Sequence, residues 1–160
     1  MKAEEIKILL EKSFPGKAFE LIENATPQGL GVSAEDLVEV MDFLHTHKQL
    51  YFDMLSCITG LDNGPETGTM EVIYNLYSIP NNIHLMVKVV LNRDKPTIDS
   101  LVDLWKTADW QEREVFDMFG IHFNNHPDLR RILMPADWEG YPLRNDYKEQ
   151  TYYRGMKVEY

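Results

Sequence analysis

The run His84-Leu85-Met86-Val87-Lys88-Val89-Val90-Leu91 sends Leu85, Val87, Val89 and Leu91 one way and His84, Met86, Lys88 and Val90 the other. Side chains of a strand alternate between faces, so this run predicts a strand with one core face and one open face. A sheet of such strands needs cover on its apolar side only. That predicts a two-layer α+β domain, a mixed sheet with helices on one face. The neighbouring runs agree. Ile6, Leu9, Leu10 and Phe14 predict a helix over about residues 3–13, stopped by Pro15-Gly16. Phe19 and Leu21, then Leu30 and Val32, predict a hairpin around a turn-rich linker. Ser33 and Asp36 form a capping box before a helix carrying Leu37, Val40, Met41 and Leu44. Strands are expected at residues 51–59, 70–78 and 84–91, with a loop over 60–68. Thr97 is expected to cap a third helix with Ile98, Leu101, Val102 and Trp105 on one face.

The chain changes character near Trp105. Of its 18 aromatic residues, 11 lie from Trp105 onward, and five of its six arginines follow residue 111. Arginine and aromatic side chains are what protein interfaces use, and lysine is what they avoid. Pro127, Pro135 and Pro142 keep much of this stretch out of regular helix or central strand. We therefore read residues 1–123 as an α+β core domain and residues 124–160 as an irregular C-terminal extension laid against a partner. Tyr152, Tyr153 and Tyr160 are expected to lie on that partner.

A net charge of −10 argues against nucleic acid or anionic lipid as the partner. No run approaches the length of a membrane span. Met1 to Lys7 carries two acids with no apolar run behind it, so no secretory signal is expected. Cys57 is the single cysteine, which excludes an internal disulfide, a Cys-rich zinc site and an iron–sulfur cluster. It reads as an inert, buried thiol. His122 and His126 stand four apart, but Ile121-His122-Phe123 alternates like a strand and Pro127 follows. The helix face a zinc pair needs is therefore not expected. His45 and His47 lie near a helix end and read as partners of carbonyls. Glu112 to Phe119 reads as a short helix closed by Gly120, with Val115, Phe116 and Phe119 inward and Arg113 paired to Asp117.

Glu112-Arg113-Glu114, then Phe116-Asp117-Met118-Phe119, His126-Pro127 and Arg130-Arg131-Ile132-Leu133 stand at fixed spacing, followed by Trp138 and by Pro142-Leu143-Arg144-Asn145-Asp146. This pattern resembles the signature of the C subunit of proton-pumping NADH:quinone oxidoreductase, respiratory complex I. Two positions depart from it: Asn145 stands where the family usually has lysine, and Ala136 replaces a frequent acid. The resemblance implies an accessory peripheral-arm subunit without an active site of its own, on the cytoplasmic face of the energy-transducing membrane. It implies partners that form the quinone site and carry iron–sulfur clusters and flavin, with no cofactor in this chain. The same subunit type occurs in ferredoxin- or F420-linked quinone reductases and membrane-bound hydrogenases. A stand-alone metal-dependent hydrolase using His122 and His126 is the reading of another class. On the family reading, Glu112, Glu114 and Asp117 are expected to bind Arg130, Arg131 and Arg144 and so pin the tail to the body. Arg130→Ala or Glu114→Ala is then expected to impair folding or assembly. Phe116, Phe119 and Trp138 are the expected apolar anchors.

Overall fold

The computed structural model describes residues 1–158. Helix α1 (Ala3–Ser13) leads into a short antiparallel pair, β1 (Glu20–Ile22) and β2 (Gly29–Gly31), and then helix α2 (Leu37–Thr46). Three longer strands follow: β3 (Met54–Asp62), β4 (Thr69–Ser78) and β5 (Ile83–Asn92). The five strands form one sheet in the order β1-β2-β5-β4-β3, antiparallel except where β2 runs parallel to β5. Beyond it come β6 (Thr97–Asp99), α3 (Ala108–Phe119) and β7 (His122–Asn124). The remainder is turn and coil, apart from a small hairpin of β8 (Tyr152–Tyr153) and β9 (Met156–Lys157).

The sheet is two-faced, as the alternation of β5 predicts. Leu85, Val87, Val89 and Leu91 are buried with Met70, Val72, Tyr74 and Leu76 of β4. Ile6 and Leu10 of α1 and Leu37, Val40, Met41 and Leu44 of α2 join that core. Each such aliphatic side chain contributes about 1.5–3 kcal/mol by leaving water. The Ser33 hydroxyl accepts from the Asp36 amide, but α2 proper starts one turn later, with Asp36 as its N-cap.

Three local expectations fail. Thr97 opens no helix: residues 97–99 are β6, paired parallel with β7. Leu101 and Trp105 share one isolated turn, in which the Trp105 amide donates to the Leu101 carbonyl at 2.9 Å. The apolar spacing is real, since Ile98, Leu101, Val102 and Trp105 are all buried, but it serves a strand and a turn. Gly60 likewise starts no loop, because β3 runs on to Asp62. A Cβ at Gly60 would lie 2.6 Å from the Phe119 ring and 3.0 Å from Val115. The glycine lets α3 approach the strand rather than breaking it. Cys57 is half-buried, not enclosed, next to a register shift in β3, with its Sγ 3.3 Å from Thr59 Oγ1.

Candidate functional site

Helix α3 starts at Ala108, a full turn before Glu112, and ends at Gly120, whose φ of 73° suits a residue without Cβ. It buries two acids completely, Glu112 and Asp117. Such groups need partners, and the two solve the problem differently.

Asp117 grips the tail. One carboxylate oxygen accepts from Arg131 Nη1 at 2.9 Å. The other accepts three successive backbone amides, Ile132 at 3.0 Å, Leu133 at 2.7 Å and Met134 at 2.8 Å. Arg131 also donates to the Gly140 carbonyl at 2.8 Å. Its guanidinium and that of Arg144 both lie over the Tyr141 ring, at 5.3 and 4.8 Å. Arg144 Nε donates to the Phe119 carbonyl at 2.7 Å, which satisfies one of the carbonyls the helix end leaves open. A Cβ on Gly120 would meet Tyr141 at 2.5 Å.

Glu112 has no arginine. Its Oε1 accepts from the Leu101 amide at 2.7 Å and its Oε2 from the Ser100 hydroxyl at 2.6 Å. Burial pushes its carboxyl up to about 7, against the pull of those two donors and helped by Asp109. The Tyr74 hydroxyl, fully buried and near this carboxyl, has no hydrogen-bond partner among the described residues. His126 reaches the same corner from the tail. Its ring is buried, Nε2 donates to the Asp109 carbonyl at 3.0 Å, and Nδ1 accepts from the Asp128 amide at 3.0 Å. Pro127, beside it, is exposed. His122 is exposed on β7, and no three His, Cys, Asp or Glu side chains converge on one point among the described residues.

Of the expected carboxylate–arginine pairs, the structure brings together Asp117 and Arg131. Arg113 does not bind Asp117; it donates to the carbonyls of Arg130 and Arg131 and lies over the exposed Trp110. Asp117 faces the tail, so the i, i+4 partner loses to a better-placed arginine. Arg130 is 72% exposed and bonds Asp128. Glu114 is exposed. Neither is a buried charge, so Arg130→Ala or Glu114→Ala leaves no uncompensated charge in the core, contrary to the expectation from the sequence. Phe116 and Phe119 are half-buried against the core. Trp138 donates from its indole to the Tyr147 hydroxyl at 3.0 Å. Tyr153 packs on Trp138 and donates to Asp137 within the chain, while Tyr152 is 63% exposed. Tyr160 lies outside the described residues.

A second grip was not foreseen. Asp62, at the end of β3, takes a bidentate bond from Arg93 at 2.8 and 3.1 Å. It also accepts the Gly64 amide at 3.1 Å and the Asn145 amide at 2.8 Å. Arg93 Nη2 extends to Asp146, and Asn145 Nδ2 donates to the Asp62 carbonyl at 2.8 Å. Arg93 holds the Asp62 carboxyl down at about 2, outweighing desolvation, with the amides of Asn145 and Gly64 adding to the effect. The available signal was Arg93 itself, the one arginine in the lysine-dominated part of the sequence. Asn145, the departure from the family lysine, is thus part of an internal bond.

Residues 30–153 match the family model described as respiratory-chain NADH dehydrogenase, 30 Kd subunit. The NADH-quinone oxidoreductase C subunit of Chloroherpeton thalassium is 48% identical over 119 residues, 74% of this chain and 49% of that protein, so the chain spans about half the length of that relative. The corresponding C subunit of Geobacter metallireducens is 41% identical over 144 residues, 89% of this chain and 88% of that one. Among solved structures, the trypsin-resistant fragment of Nqo5 superposes with a TM-score of 0.63 at 30% identity, covering 78% of this chain and 98% of the fragment. A chain of an archaeal respiratory membrane complex, the membrane-bound sulfane sulfur reductase, superposes with a TM-score of 0.73 at 24% identity, over 91% of this chain and 85% of that one. The second likeness is one of fold.

Proposed function

We propose a role that proceeds from one premise: this chain belongs to the family of the 30 kDa subunit of respiratory-chain NADH dehydrogenase, the C subunit of NADH-quinone oxidoreductase. The role is that of a peripheral-arm subunit that scaffolds the quinone-site subunit and the iron–sulfur subunits while electrons pass from NADH to quinone. The chain itself carries no cofactor and performs no chemistry in this reading. It sits on the cytoplasmic face of the membrane, held by its partners. No helix of the described residues is long and apolar enough to cross a membrane.

The observation that carries this reading is the Asp117 grip. Three consecutive amides and one arginine on a single buried carboxylate fix residues 131–134 in one conformation. An irregular tail would otherwise lose that order to chain entropy. What is fixed is a surface, with Trp110, Leu133 and Leu143 exposed around it. Large exposed apolar side chains beside rigid arginines suit a protein partner better than solvent.

A tagged chain recovered from native membranes in mild detergent tests the role. Co-purification of quinone-site, iron–sulfur and flavin subunits is expected, with NADH-dependent quinone reduction by the preparation. Recovery of the chain by itself from the soluble fraction would overturn the reading. Recovery without a flavin module would reassign the electron donor.

A further inference from the structure

Helix α3 turns Ala108, Glu112 and Val115 into the molecule. At about 100° per residue, Trp110 and Arg113 then stand on its outer side, one turn apart. Trp110 is 66% exposed. The other two tryptophans are engaged within the chain. Trp105 is buried and its indole donates to the Phe52 carbonyl at 3.1 Å, while Trp138 bonds Tyr147 and packs on Tyr153. The Trp110 indole N–H has no acceptor among the described residues. Tryptophan and arginine are enriched at the energetic centres of protein interfaces.

Arg113 is equally unusual among the arginines. Arg93, Arg130, Arg131 and Arg154 each pair with a carboxylate. Arg113 and Arg144 pair with none among the described residues, and backbone carbonyls and aromatic rings hold them instead. The acids one helical turn from Arg113 are already taken. Asp109 Oδ1 lies 3.3 Å from His126 Nε2, and Asp117 is filled by Arg131 and three tail amides. Arg113 donates from Nε and Nη2 to the Arg130 and Arg131 carbonyls at 3.2 and 3.4 Å, and its guanidinium carbon lies 5.6 Å from the centre of the Trp110 ring. These contacts fix the group in place. They leave Nη1 and one N–H of Nη2 without an acceptor among the described residues, the edge that grips a carboxylate by two parallel bonds. An unclaimed tryptophan and a charge without a counter-ion therefore lie side by side.

We infer that Trp110 and Arg113 receive an acidic segment of a partner subunit, with an Asp or Glu carboxylate on the free edge of Arg113 and an apolar side chain on the Trp110 indole. The inference rests on the subunit role proposed above and names the chemistry of the segment that role brings to this face. Arg130 flanks the site through the carbonyl that Arg113 binds, and its own charge is met by Asp128. Arg113 thus sets the sign of the charge the partner presents. An anionic lipid surface fits poorly, because a chain carrying −10 is repelled by it as a whole, whereas one fixed guanidinium selects one carboxylate.

The test uses the assembled complex. A benzophenone amino acid replaces Trp110, which keeps an aromatic group there, and the crosslinked peptide is read by mass spectrometry after illumination of native membranes. The expected product joins this chain to another subunit, with Asp or Glu within three residues of the attachment point, since an extended segment advances about 3.3 Å per residue. Replacing that acid by lysine in the partner is expected to lower the yield by about tenfold or more, and adding Arg113→Glu is expected to restore it. The isolated Arg113→Glu chain is melted first, because Arg113 also holds two tail carbonyls. Should it melt below the parent, the partner substitution decides alone. With no substitution at all, radical labelling of Trp110 is expected to fall severalfold in the complex relative to the free chain. Equal labelling in both states would overturn the inference. So would a crosslink to a second copy of this chain, an attachment point with no acid within three residues, or a yield indifferent to the partner substitution. Co-purification of the unmodified chain reads the subunit role separately, so this contact can fail while that role stands.

Discussion

Asp117 and Glu112 sit five residues apart on one helix, equally buried, and behave as different chemical objects. Asp117 has four donors including a guanidinium. Asp117→Asn replaces an acceptor by a donor facing those amides and leaves Arg131 without its counter-charge. A loss of about 3–5 kcal/mol is expected, read from the urea midpoint. Glu112 has two donors and no cation, and its carboxyl rises from 4.5 to about 7. Below pH 4.5 the folded and unfolded chains both hold the proton, and its contribution to stability is fully present. As pH rises from there the unfolded chain releases the proton first, so stability falls until about pH 7 and then levels. The shift corresponds to about 3 kcal/mol. Glu112→Gln keeps an acceptor for the Leu101 amide and removes the titration. The variant is expected to flatten stability between pH 5 and 7 and to exceed the parent at pH 7.5; a variant that retains the parent slope would show that another group causes it.

At the scale of elements, legibility followed the range of the deciding contact. The alternation of β5 is local, and its faces were readable residue by residue. The signal of Gly60 was misleading because a glycine that admits a neighbouring helix looks the same, in one dimension, as a glycine that turns the chain. The stretch from Thr97 to Trp105 has helical spacing, but Glu112 takes the Leu101 amide from eleven residues away and the segment closes as strand plus turn. The motif announced carboxylates and arginines without saying which would meet. Arg130 and Arg131 are adjacent, and their directions are set by the tight backbone bend in which the Arg130 amide donates to the Asp128 carbonyl, invisible to spacing. Gly120, by contrast, was legible as a helix stop, and its second duty was not: it leaves room for Tyr141 between two arginines. Gly120→Ala is expected to destabilise by about 1–2 kcal/mol from its left-handed backbone alone, and by more if Tyr141 cannot shift. A thermal midpoint unchanged from the parent would remove Tyr141 and the cap from the account of how the tail is held.

For the whole molecule, the tail is fastened at two points built from different residues. Asp117 and Arg131 hold it to α3, and the Asp62–Arg93 pair holds Asn145 and Asp146 to the far end of the sheet. Asp62 responds to acid in the opposite sense from Glu112. Its folded carboxyl lies near 2 against 3.8 unfolded, so its contribution is present above 3.8 and is lost as pH falls through 2, about 2 kcal/mol. The two groups therefore pull in opposite directions: Glu112 adds stability as pH falls below about 7, and Asp62 adds it as pH rises above about 2. Arg93→Leu separates the fastenings: it leaves Asp62 buried with two amides and no cation. If the tail is one cooperative unit, this variant opens residues 132–134 to hydrogen exchange as well as residue 145, although Asp117 is untouched. If the fastenings act separately, only the Asn145 end loses protection. The first outcome is the expected one, because Arg144 stacks on the same Tyr141 ring as Arg131 and binds the Phe119 carbonyl, coupling the two ends through one aromatic side chain. Protection at 132–134 unchanged from the parent would leave Asp117 as an isolated clamp, and the Tyr141 stack as packing without coupling.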